Sequence, residues 1–428
     1  MDENAFRFAK LIGYKSLADV AGKASTLVIT VVAARQLTAN AFGVFSLAST
    51  VGWMLAVAAD CGIQLHVARA VSRAPDDAGP LLAGWLRVRL WTTAAAIALL
   101  AAATVASRSA ASLAVPLVLF ACVYGASGLV EFLYYFYRGL SRSDIESSLT
   151  ILQRAGTVAC GVAALLWRPD VTVLAAAMLV PAAATLVGTL RIARRFTAGS
   201  PERRVAGPQP SDHPSADPAT PRIFLTQVLP IGAGIVLSAL YFRIDVFLVE
   251  LWSGTAAVGL YNAVFRLIEA LRLFPAAALA VALPSLCRAT DLRPLARVSA
   301  GVTAFAAIGS IVLWSSAGWL VPLLYGNRYL DAVPAFRILS LAFPLFSLNY
   351  ALTHQLIGWD GQRAYAAICA TALAGNVAMN ARLIPALSID GAAWATLGTE
   401  GIVTAGCLAA IAASTRRSPA VPALEASA

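Results

Sequence analysis

Residues 258–286 have the sequence "VGLYNAVFRLIEALRLFPAAALAVALPSL", which is apolar at both ends and long enough to cross a lipid bilayer. Three charged residues, Arg266, Glu269 and Arg272, lie within seven positions near its start. Charges inside a membrane span nearly always face a cavity or a partner and not lipid. The segment therefore predicts a membrane-spanning helix with one polar stripe, and we expect this stripe to face a cavity.

The composition extends this prediction to the whole chain of 428 residues. Hydrophobic residues make up 59% of it and charged residues only 13%, whereas soluble proteins contain about 25% charged residues. Apolar stretches of about 20 residues recur throughout, which predicts an all-α polytopic membrane protein with about twelve transmembrane helices. The predicted spans are residues 13–34, 41–63, 83–106, 112–136, 149–167, 172–194, 223–250, 257–284, 298–320, 334–357, 364–384 and 391–413.

The distribution of arginine and lysine predicts the orientation. About twenty of these residues, Arg154 among them, lie in or near the N-terminus and the even-numbered turns, against about five on the other side. Both termini are therefore expected in the cytoplasm, and the first span is expected to be retained because no signal-peptide cleavage pattern follows it. The formal net charge of +10 is then a topology signal and does not indicate nucleic acid as a partner.

No catalytic, metal or cofactor motif is present in the sequence. The six cysteines are scattered without a CxxC pair, and the three histidines are isolated. A Walker A loop and a GxSxG motif are both absent. We therefore expect no enzyme activity, no catalytic residue, no metal site and no cofactor.

The sequence contains one clear boundary between two halves of the chain. Residues 197–222 are rich in Pro, Ser and Asp, which predicts a cytoplasmic linker between an N-terminal six-helix lobe (1–196) and a C-terminal six-helix lobe (223–415), followed by a tail (416–428). A short sequence similarity between the two halves supports an internal duplication of the chain. Gly43 and Phe45 in "TANAFGVFSLA" match Gly259 and Tyr261 in "GTAAVGLYNAV". Six helices per half would make the halves parallel repeats about an axis along the membrane normal.

Four stretches resemble one known family over nearly the full chain. They are "ARQLTANAFGVFSLAST" from Ala34, "FRIDVFLVELWSGTAAVGLYNAVFRLIEALRLFP" from Phe242, "LYGNRYLDAVPAFRILSLAFP" from Leu324 and "GNVAMNARLIPALSIDGAAWATLGTE" from Gly375. These are similar to the polysaccharide-biosynthesis and oligosaccharide (O-antigen, Wzx-type) flippases of the multidrug, oligosaccharidyl-lipid and polysaccharide exporter superfamily. One departure is Arg382, which stands where that family usually has an apolar residue.

The resemblance implies two six-helix lobes around a central cavity that opens alternately to each side. It also implies a flippase of the bacterial inner (cytoplasmic) membrane, which moves a polyprenyl-pyrophosphate-linked oligosaccharide from the cytoplasmic to the outer leaflet. The implied partners are this lipid-linked glycan, membrane lipids, and a polysaccharide polymerase with its export machinery.

Charged residues inside the spans supply candidate substrate contacts, because the guanidinium fork of arginine suits phosphate oxygens. The substrate-binding candidates are Lys23, Arg87, Arg89, Arg243, Arg266, Arg272 and Arg337. The candidates for ion coupling or ion pairing are Asp19, Glu131, Asp245, Glu250 and Glu269. The candidate hinge residues are the helix breakers Pro230, Gly232, Gly234 and Pro275.

Simpler interpretations of the same residues remain open. Glu269 would form purely structural ion pairs with Arg266 and Arg272, since intramembrane ions usually pair. Asp19 and Lys23 have the i,i+4 spacing of an ion pair. Arg87, Arg89 and Arg337 lie near predicted helix ends, where they would extend toward the interface. Arg243 and Arg272 are the strongest candidates for substrate contact.

The alternative functions are a cation or drug antiporter of the same superfamily, a peptidoglycan-precursor flippase, and a membrane scaffold without transport. The antiporter needs an acidic or aromatic cavity, whereas the charges inside these spans are mostly basic. The scaffold gains nothing from charges placed in hydrocarbon.

Overall fold

The computed structural model describes residues 3–107, 111–197, 220–276, 293–359 and 361–417, without the side chains of 3–13, 15–17, 19, 111, 197, 294 and 414–417. Throughout these ranges the chain is helical and has no strand. Its α-helices are α1 (Glu3–Gln36), α2 (Ala39–Asp60), α3 (Ile63–Arg73), α4 (Ala78–Ala106), α5 (Ala111–Gly139), α6 (Ser143–Trp167), α7 (Val171–Thr197), α8 (Leu229–Ser253), α9 (Thr255–Leu271), α10 (Arg293–Tyr325), α11 (Val333–Gly358) and α12 (Gln362–Arg417). The predicted linker and tail lie almost wholly outside the described residues.

Nine of the described helical segments are long and apolar enough to cross a membrane. They contain α2, α4–α8 and α10–α12, while α1 and α9 complete the bundle and carry three charged residues of the central cluster described below. The chain is therefore a multi-pass membrane protein, as predicted. Its helices form two lobes, with α1–α7 in the N-terminal lobe and α8–α12 in the C-terminal lobe.

Helix α12 is a hairpin of two membrane passes. Its backbone leaves helical geometry at Ser388, which has φ 50° and ψ −127°. On either side the passes run antiparallel, because Asn376 Nδ2 donates to Thr399 Oγ1 at 3.0 Å and a Cβ on Gly391 would lie 2.3 Å from the carbonyl oxygen of Leu383. This pairing confirms the two separate spans predicted at 364–384 and 391–413.

The region after α2 differs from the prediction of a span to residue 63 followed by a plain turn. Helix α2 ends at Asp60, because Cys61 (φ 43°) and Gly62 (φ 86°) both adopt left-handed backbone geometry. The carboxylate of Asp60 then accepts hydrogen bonds from the Gly62 and Gln64 amides at 3.1 and 3.3 Å, which starts α3. Helix α3 is short and amphipathic, and it packs against α4 and α5.

The span predicted at 257–284 is interrupted in the described structure. Helix α9 ends at Leu271, and the Arg272 amide donates to the Glu269 carbonyl three residues back at 3.2 Å. Pro275 has no N–H group to bond the Leu271 carbonyl, which accounts for the break. The rest of the predicted span, residues 277–284, lies outside the described residues.

The two lobes meet through a reciprocal glycine contact between α2 and α9. A Cβ on Gly43 would lie 1.8 Å from the carbonyl oxygen of Thr255, and a Cβ on Gly259 would lie 3.1 Å from that of Ala39. Each glycine therefore packs on the residue four positions before the other. The contact joins the two glycines that the sequence similarity relates, while the duplication itself stays a prediction. We call this part of the bundle the α1–α2 end.

Two arginines cross between the lobes at the same end. Arg35, in the last turn of α1, donates through Nε to the Leu324 carbonyl at 2.8 Å and through Nη2 to the Leu323 carbonyl. In return, Arg328 donates through Nη2 to the Ala34 carbonyl of α1. Because the last carbonyls of a helix lack intrahelical partners and favour cations, each arginine caps a helix of the other lobe.

The opposite end of α2 also touches the C-terminal lobe. A Cβ on Gly232 of α8 would lie 1.9 Å from the carbonyl oxygen of Cys61. Gly232 is therefore needed for close approach at this end, which we call the α2–α3 end. The lobes contact each other at both ends of α2, and the central part of the bundle lies between.

Replacing Gly43 with Ala should open the α1–α2 end. The added methyl group would meet the Thr255 backbone, which cannot rotate away, and overpacking of this kind costs about 1–3 kcal/mol. The measurement is the labelling rate of a Thr255→Cys variant by a membrane-impermeant thiol reagent, with the native cysteines replaced. Labelling should accelerate with Gly43→Ala and stay unchanged with Gly234→Ala, since a Cβ on Gly234 meets nothing within 4 Å. Equal labelling in both backgrounds would contradict the contact.

Candidate functional site

One carboxylate, Glu269 of α9, gathers cations from three helices in the central part of the bundle. Its Oε2 accepts from Arg243 Nη2 at 2.7 Å and from Arg266 Nη1 at 2.8 Å. Its Oε1 lies 3.9 Å from Lys23 Nζ of α1. Because Lys23 belongs to the N-terminal lobe and Arg243 to the C-terminal lobe, the carboxylate links the two. We call Lys23, Arg243, Arg266, Glu269 and Arg272 the central cluster.

Arg243 is the most deeply buried member, with 3% of its surface exposed. Besides Glu269 it contacts Asn262, since Nη1 donates to Oδ1 at 3.2 Å. Its guanidinium also stacks over the rings of Phe265 and Phe242, with 4.6 and 5.3 Å to the ring centroids. The structure therefore places this predicted substrate contact behind Glu269, where its guanidinium is already occupied.

Arg272 lies against aromatic rings and does not form the structural pair with Glu269 that the simpler interpretation describes. Its guanidinium lies 4.6 Å from the Phe242 centroid and 5.3 Å from the Phe346 centroid. Among the described residues, no carboxylate lies within 4 Å of it. Stacking fixes the guanidinium plane while leaving its N–H donors free for another acceptor.

The central cluster has an excess of positive charge. The cluster contains four cations and one carboxylate, which is a net charge of +3: Lys23, Arg243 and Arg266 contact Glu269, and Arg272 does not. A cavity of about 50 Å³ adjoins the cluster and is lined by Lys23, Thr26, Leu27, Arg266, Glu269 and Ala270. This volume has room for about four water molecules. The site can thus offer hydrated cationic groups to an anion.

Three predicted substrate-binding arginines lie outside this cluster. Arg89 is buried in the N-terminal lobe, where its Nε lies 3.5 Å from Asp60 Oδ1 and its Nη2 donates to the Ala56 carbonyl at 3.1 Å. Arg89 therefore does not extend to the interface, because its charge is paired inside the lobe. The Arg337 guanidinium stacks over the Trp314 ring, 5.2 Å from its centroid. Arg87 is exposed on α4.

The predicted acidic candidates have different surroundings. Buried Asp245 accepts hydrogen bonds from the Tyr261 hydroxyl and, at 2.9 Å, from the Val246 amide. Glu250 accepts from the Thr255 hydroxyl at 2.7 Å, close to the start of α9. Glu131 is exposed on α5. Asp19 lies outside the described side chains, so its predicted pair with Lys23 stays a prediction.

A second buried acid in the C-terminal lobe is Glu400 of α12, which the sequence offers as one of several acids able to carry a proton. Its Oε2 accepts from Asn349 Nδ2 at 2.7 Å. Glu400 and Asp245 both line a small cavity of about 10 Å³ in the C-terminal lobe, together with Asn376, Thr396 and Thr399. These residues around Asp245 and Glu400 come from α11 and α12, and hydropathy alone does not reveal their contacts.

Among the predicted hinge residues, Gly232 has a packing role at the α2–α3 end and Pro275 accompanies the break after α9. Pro230 lies at the start of α8, directly after a π-helical turn (Phe224–Val228). Such turns occur often at functional sites. Gly234 has open space around its Cβ direction, so packing does not explain the presence of glycine there.

The sequence matches the profile of a family described as "Polysaccharide biosynthesis protein" over residues 8–290, which is more than half of the chain. The chain belongs to the polysaccharide biosynthesis protein family. No curated protein sequence matches the chain significantly.

Solved structures share the fold of this polysaccharide biosynthesis protein. The lipid II flippase MurJ in an inward closed conformation superposes with a TM-score of 0.73 and 11% identity, covering 93% of this chain and 87% of MurJ. An inward-facing multidrug resistance MATE transporter of the MOP superfamily superposes with a TM-score of 0.61 and 12% identity, covering 95% of this chain and 96% of the transporter. The Vibrio cholerae MATE transporter VcmN in the bent form superposes with a TM-score of 0.56 and 14% identity, covering 97% of this chain and 98% of VcmN. At these identities the likeness establishes the two-lobe fold alone.

Replacing Glu269 with Gln should destabilise the protein, because it leaves Arg243 buried beside other cations without a counter-charge. Breaking a buried ion pair on one side typically costs about 3–5 kcal/mol. The measurement is the thermal midpoint in detergent, with Glu131→Gln as the control, since Glu131 is an exposed acid. A further Arg243→Gln change should recover part of the loss. A Glu269→Gln midpoint equal to that of the control would contradict this account of the cluster.

Proposed function

We propose that this protein is a flippase that moves a polyprenyl-pyrophosphate-linked oligosaccharide, the repeat unit of a polysaccharide or O-antigen, across the membrane by alternating access. The central cluster carries the proposal, since it has an excess of positive charge at the interface of the two lobes. Membership of the polysaccharide biosynthesis family and the fold shared with a lipid II flippase support the same class of substrate.

The charge of the cluster matches the headgroup that must cross. A pyrophosphate in hydrocarbon would lack its hydration, which costs several kcal/mol for each unpaired ion. At an effective dielectric constant near 20, one cation at 4 Å from a negative charge returns about 4 kcal/mol before desolvation is subtracted. Two or three such contacts hold a pyrophosphate without trapping it.

The members of the cluster have distinct roles in this proposal. Arg272, Arg266 and Lys23 contact the pyrophosphate, because their N–H groups are not all committed to protein acceptors. Arg243 positions Glu269 and prevents the carboxylate from moving into the cavity. Glu269 in turn keeps the cations from repelling one another when no substrate is bound.

The acidic pair in the C-terminal lobe is our candidate for ion coupling. Asp245 and Glu400 are buried, and no cationic side chain lies within 4 Å of either among the described residues. Such carboxylates are stabilised by a proton or by a bound cation. Asp245 lies two residues after Arg243 on α8. Binding of a proton or cation at Asp245 would therefore reach the central cluster through this helix. Glu131 and Glu250 are weaker candidates, since one is exposed and the other binds Thr255.

Two other functions fit the same fold. A peptidoglycan-precursor flippase would use a related anionic headgroup, and the MurJ superposition is consistent with it. A cation or drug antiporter is consistent with the MATE superpositions, but the excess of cations in the central cluster favours an anionic substrate. The flipping experiment below separates these alternatives by the substrate that is moved.

The orientation and organisation follow from the same proposal. Both termini and the linker at 197–222 lie in the cytoplasm of a bacterial inner membrane, and the lobes are residues 1–196 and 223–415. The α1–α2 end then faces the outer leaflet, where Arg35 and Arg328 close the lobes together. The further partners of the protein in this proposal are a polysaccharide polymerase and its export machinery.

Flipping should depend on Arg272 and Arg243. In liposomes with purified protein and a fluorescent polyprenyl-pyrophosphate oligosaccharide, the readout is headgroup accessibility to a membrane-impermeant quencher. One charge-assisted hydrogen bond is worth about 1.5–3 kcal/mol, so Arg272→Ala should slow flipping at least tenfold. Arg243→Ala should slow it too, by releasing Glu269. Arg382→Ala, at an exposed arginine of α12, is the matched control.

The outcomes discriminate between the functions. Flipping that is indifferent to both substitutions would make these arginines structural and remove the site from the proposal. The absence of flipping by the wild type, together with uptake of cationic dyes against a proton or sodium gradient, would favour the antiporter. Flipping of a lipid-linked peptidoglycan precursor in preference to the oligosaccharide lipid would favour that branch.

The break after α9 should act as a hinge in the transport cycle. Replacing Pro275 with Ala restores the missing N–H donor to the Leu271 carbonyl and favours a continuous helix through Arg272. We expect slower flipping, severalfold, with unchanged binding of the lipid at equilibrium. Pro322→Ala, at a proline inside α10, is the control. Wild-type flipping rates in the Pro275→Ala variant would remove the hinge.

A further inference from the structure

A second polar cavity lies in the N-terminal lobe, next to the central cluster. Its volume is about 50 Å³, and α1, α2, α5, α6, α7 and α9 all contribute to its walls. We call it the hydroxyl cavity after the side chains that line it. Its polar lining includes Ser25, Thr30, Ser49, Ser127, Gln153 and Thr157. Two residues, Thr26 and Arg266, line both this cavity and the one beside Glu269.

The hydroxyl groups in this cavity are oriented as acceptors. Thr30 donates to the Thr26 carbonyl at 2.8 Å and Thr157 donates to the Gln153 carbonyl at 2.7 Å, each one turn back on its own helix. A hydroxyl has one donor and two acceptor lone pairs, so these bonds use the donor and leave the lone pairs available. The cavity walls therefore favour a ligand that brings its own O–H donors.

Donors are also present, from two neighbouring residues of α6. Gln153 is buried, and its Nε2 reaches only a long contact of 3.4 Å to Ser127 Oγ. Arg154 has a buried Nε without a hydrogen-bond partner among the described residues. Its Nε passes close to Gly22 of α1, where a Cβ would lie 3.7 Å away. An unsatisfied buried donor is costly, which indicates that something outside the protein accepts from it.

The depth of Arg154 sets it apart from the topology-determining arginines. The charge pattern assigns it to the cytoplasmic set, yet it lies eleven residues after Ser143, the first residue of α6. The first residues of α6 are polar and the predicted span begins at residue 149, so at 1.5 Å per residue Arg154 lies about 8 Å inside the span. Polar groups at such depth usually mark a substrate path.

Ordinary packing does not account for this arrangement. Serine and threonine often bond their own helix backbone, and small polar residues often pack at helix interfaces. Here, however, side chains from six helices surround a void, and no carboxylate is present among the described residues that line it. A cationic drug would find no counter-charge in this cavity, whereas a neutral or anionic group rich in hydroxyls would find both donors and acceptors.

We infer that the hydroxyl cavity binds the sugar part of a lipid-linked headgroup, while the central cluster binds its pyrophosphate. This inference rests on the proposed function and adds a second subsite to it. Arg266 and Thr26 join the two subsites, so the first sugar after the pyrophosphate enters the hydroxyl cavity. Because a volume of about 50 Å³ is smaller than a hexose, the sugar enters only when the surrounding helices move apart, and its hydroxyls then replace the water held there.

The test compares two ligands with the full chain in nanodiscs. The ligands are polyprenyl pyrophosphate and the same lipid carrying an oligosaccharide, and the ratio of their dissociation constants measures the contribution of the glycan. The variant is Gln153→Leu with Thr157→Val, which removes a donor and an acceptor from one face of α6. Thr371→Val, at an exposed threonine of α12 that also bonds its own helix backbone, is the matched control.

We expect the glycan to tighten binding to the wild type, and the double variant to lose this gain by on the order of tenfold. The bare lipid should bind the wild type, the variant and the control alike, which also shows that the variant is folded. A double variant that keeps the wild-type ratio would overturn the sugar subsite while leaving the flippase proposal intact. If neither lipid binds the wild type, the proposed function and the subsite both fail.

Discussion

An ion inside a membrane must find partners, and in this protein that constraint centres on Glu269. The carboxylate accepts from Arg243 and Arg266 and lies close to Lys23, so helices from both lobes meet at one negative charge. Without it, four cations would face one another in a medium that screens them poorly. With it, the lobes are joined by a contact that still carries an excess of positive charge.

The remaining lobe contacts show how such a site is enclosed. At the α1–α2 end, Gly43 and Gly259 bring two backbones together, and Arg35 and Arg328 bind the helix carbonyls of the opposite lobe. At the α2–α3 end, Gly232 lies against the Cys61 carbonyl. These contacts need precise approach of backbones, and at the α1–α2 end a hydrophobic core shared by both lobes accompanies them, with the Phe42 ring against the Tyr329 ring.

The sequence predicted those features that depend on residues close together in the chain. Apolar length alone predicted the passes, including the two that meet at Ser388, whereas the similarity around Gly43 and Gly259 did not predict that these glycines contact opposite lobes. Spacing by three predicted that Arg266 and Glu269 share a face. Arg272 also satisfied this spacing but stacks on Phe242 and Phe346, which no local pattern reveals.

Features that depend on distant partners could not be predicted in this way. The pairing of Arg89 with Asp60 and the depth of Arg154 in α6 require knowledge of which helices are neighbours. Hydropathy identifies a span without showing which side of it faces a cavity. Helix α3 was missed because its eleven residues are too short and too polar to register as a span, although its apolar positions are buried.

The most direct test of the central cluster as an anion site is the thermal stabilisation of the wild-type protein by its ligand. A ligand that binds only the folded protein raises the thermal midpoint with its concentration. Polyprenyl pyrophosphate should raise the midpoint strongly, and the uncharged prenol of the same chain length should raise it little, because only the former reaches the cations around Glu269. Equal shifts with the two lipids would show that the hydrocarbon tail alone is bound, and would contradict the account.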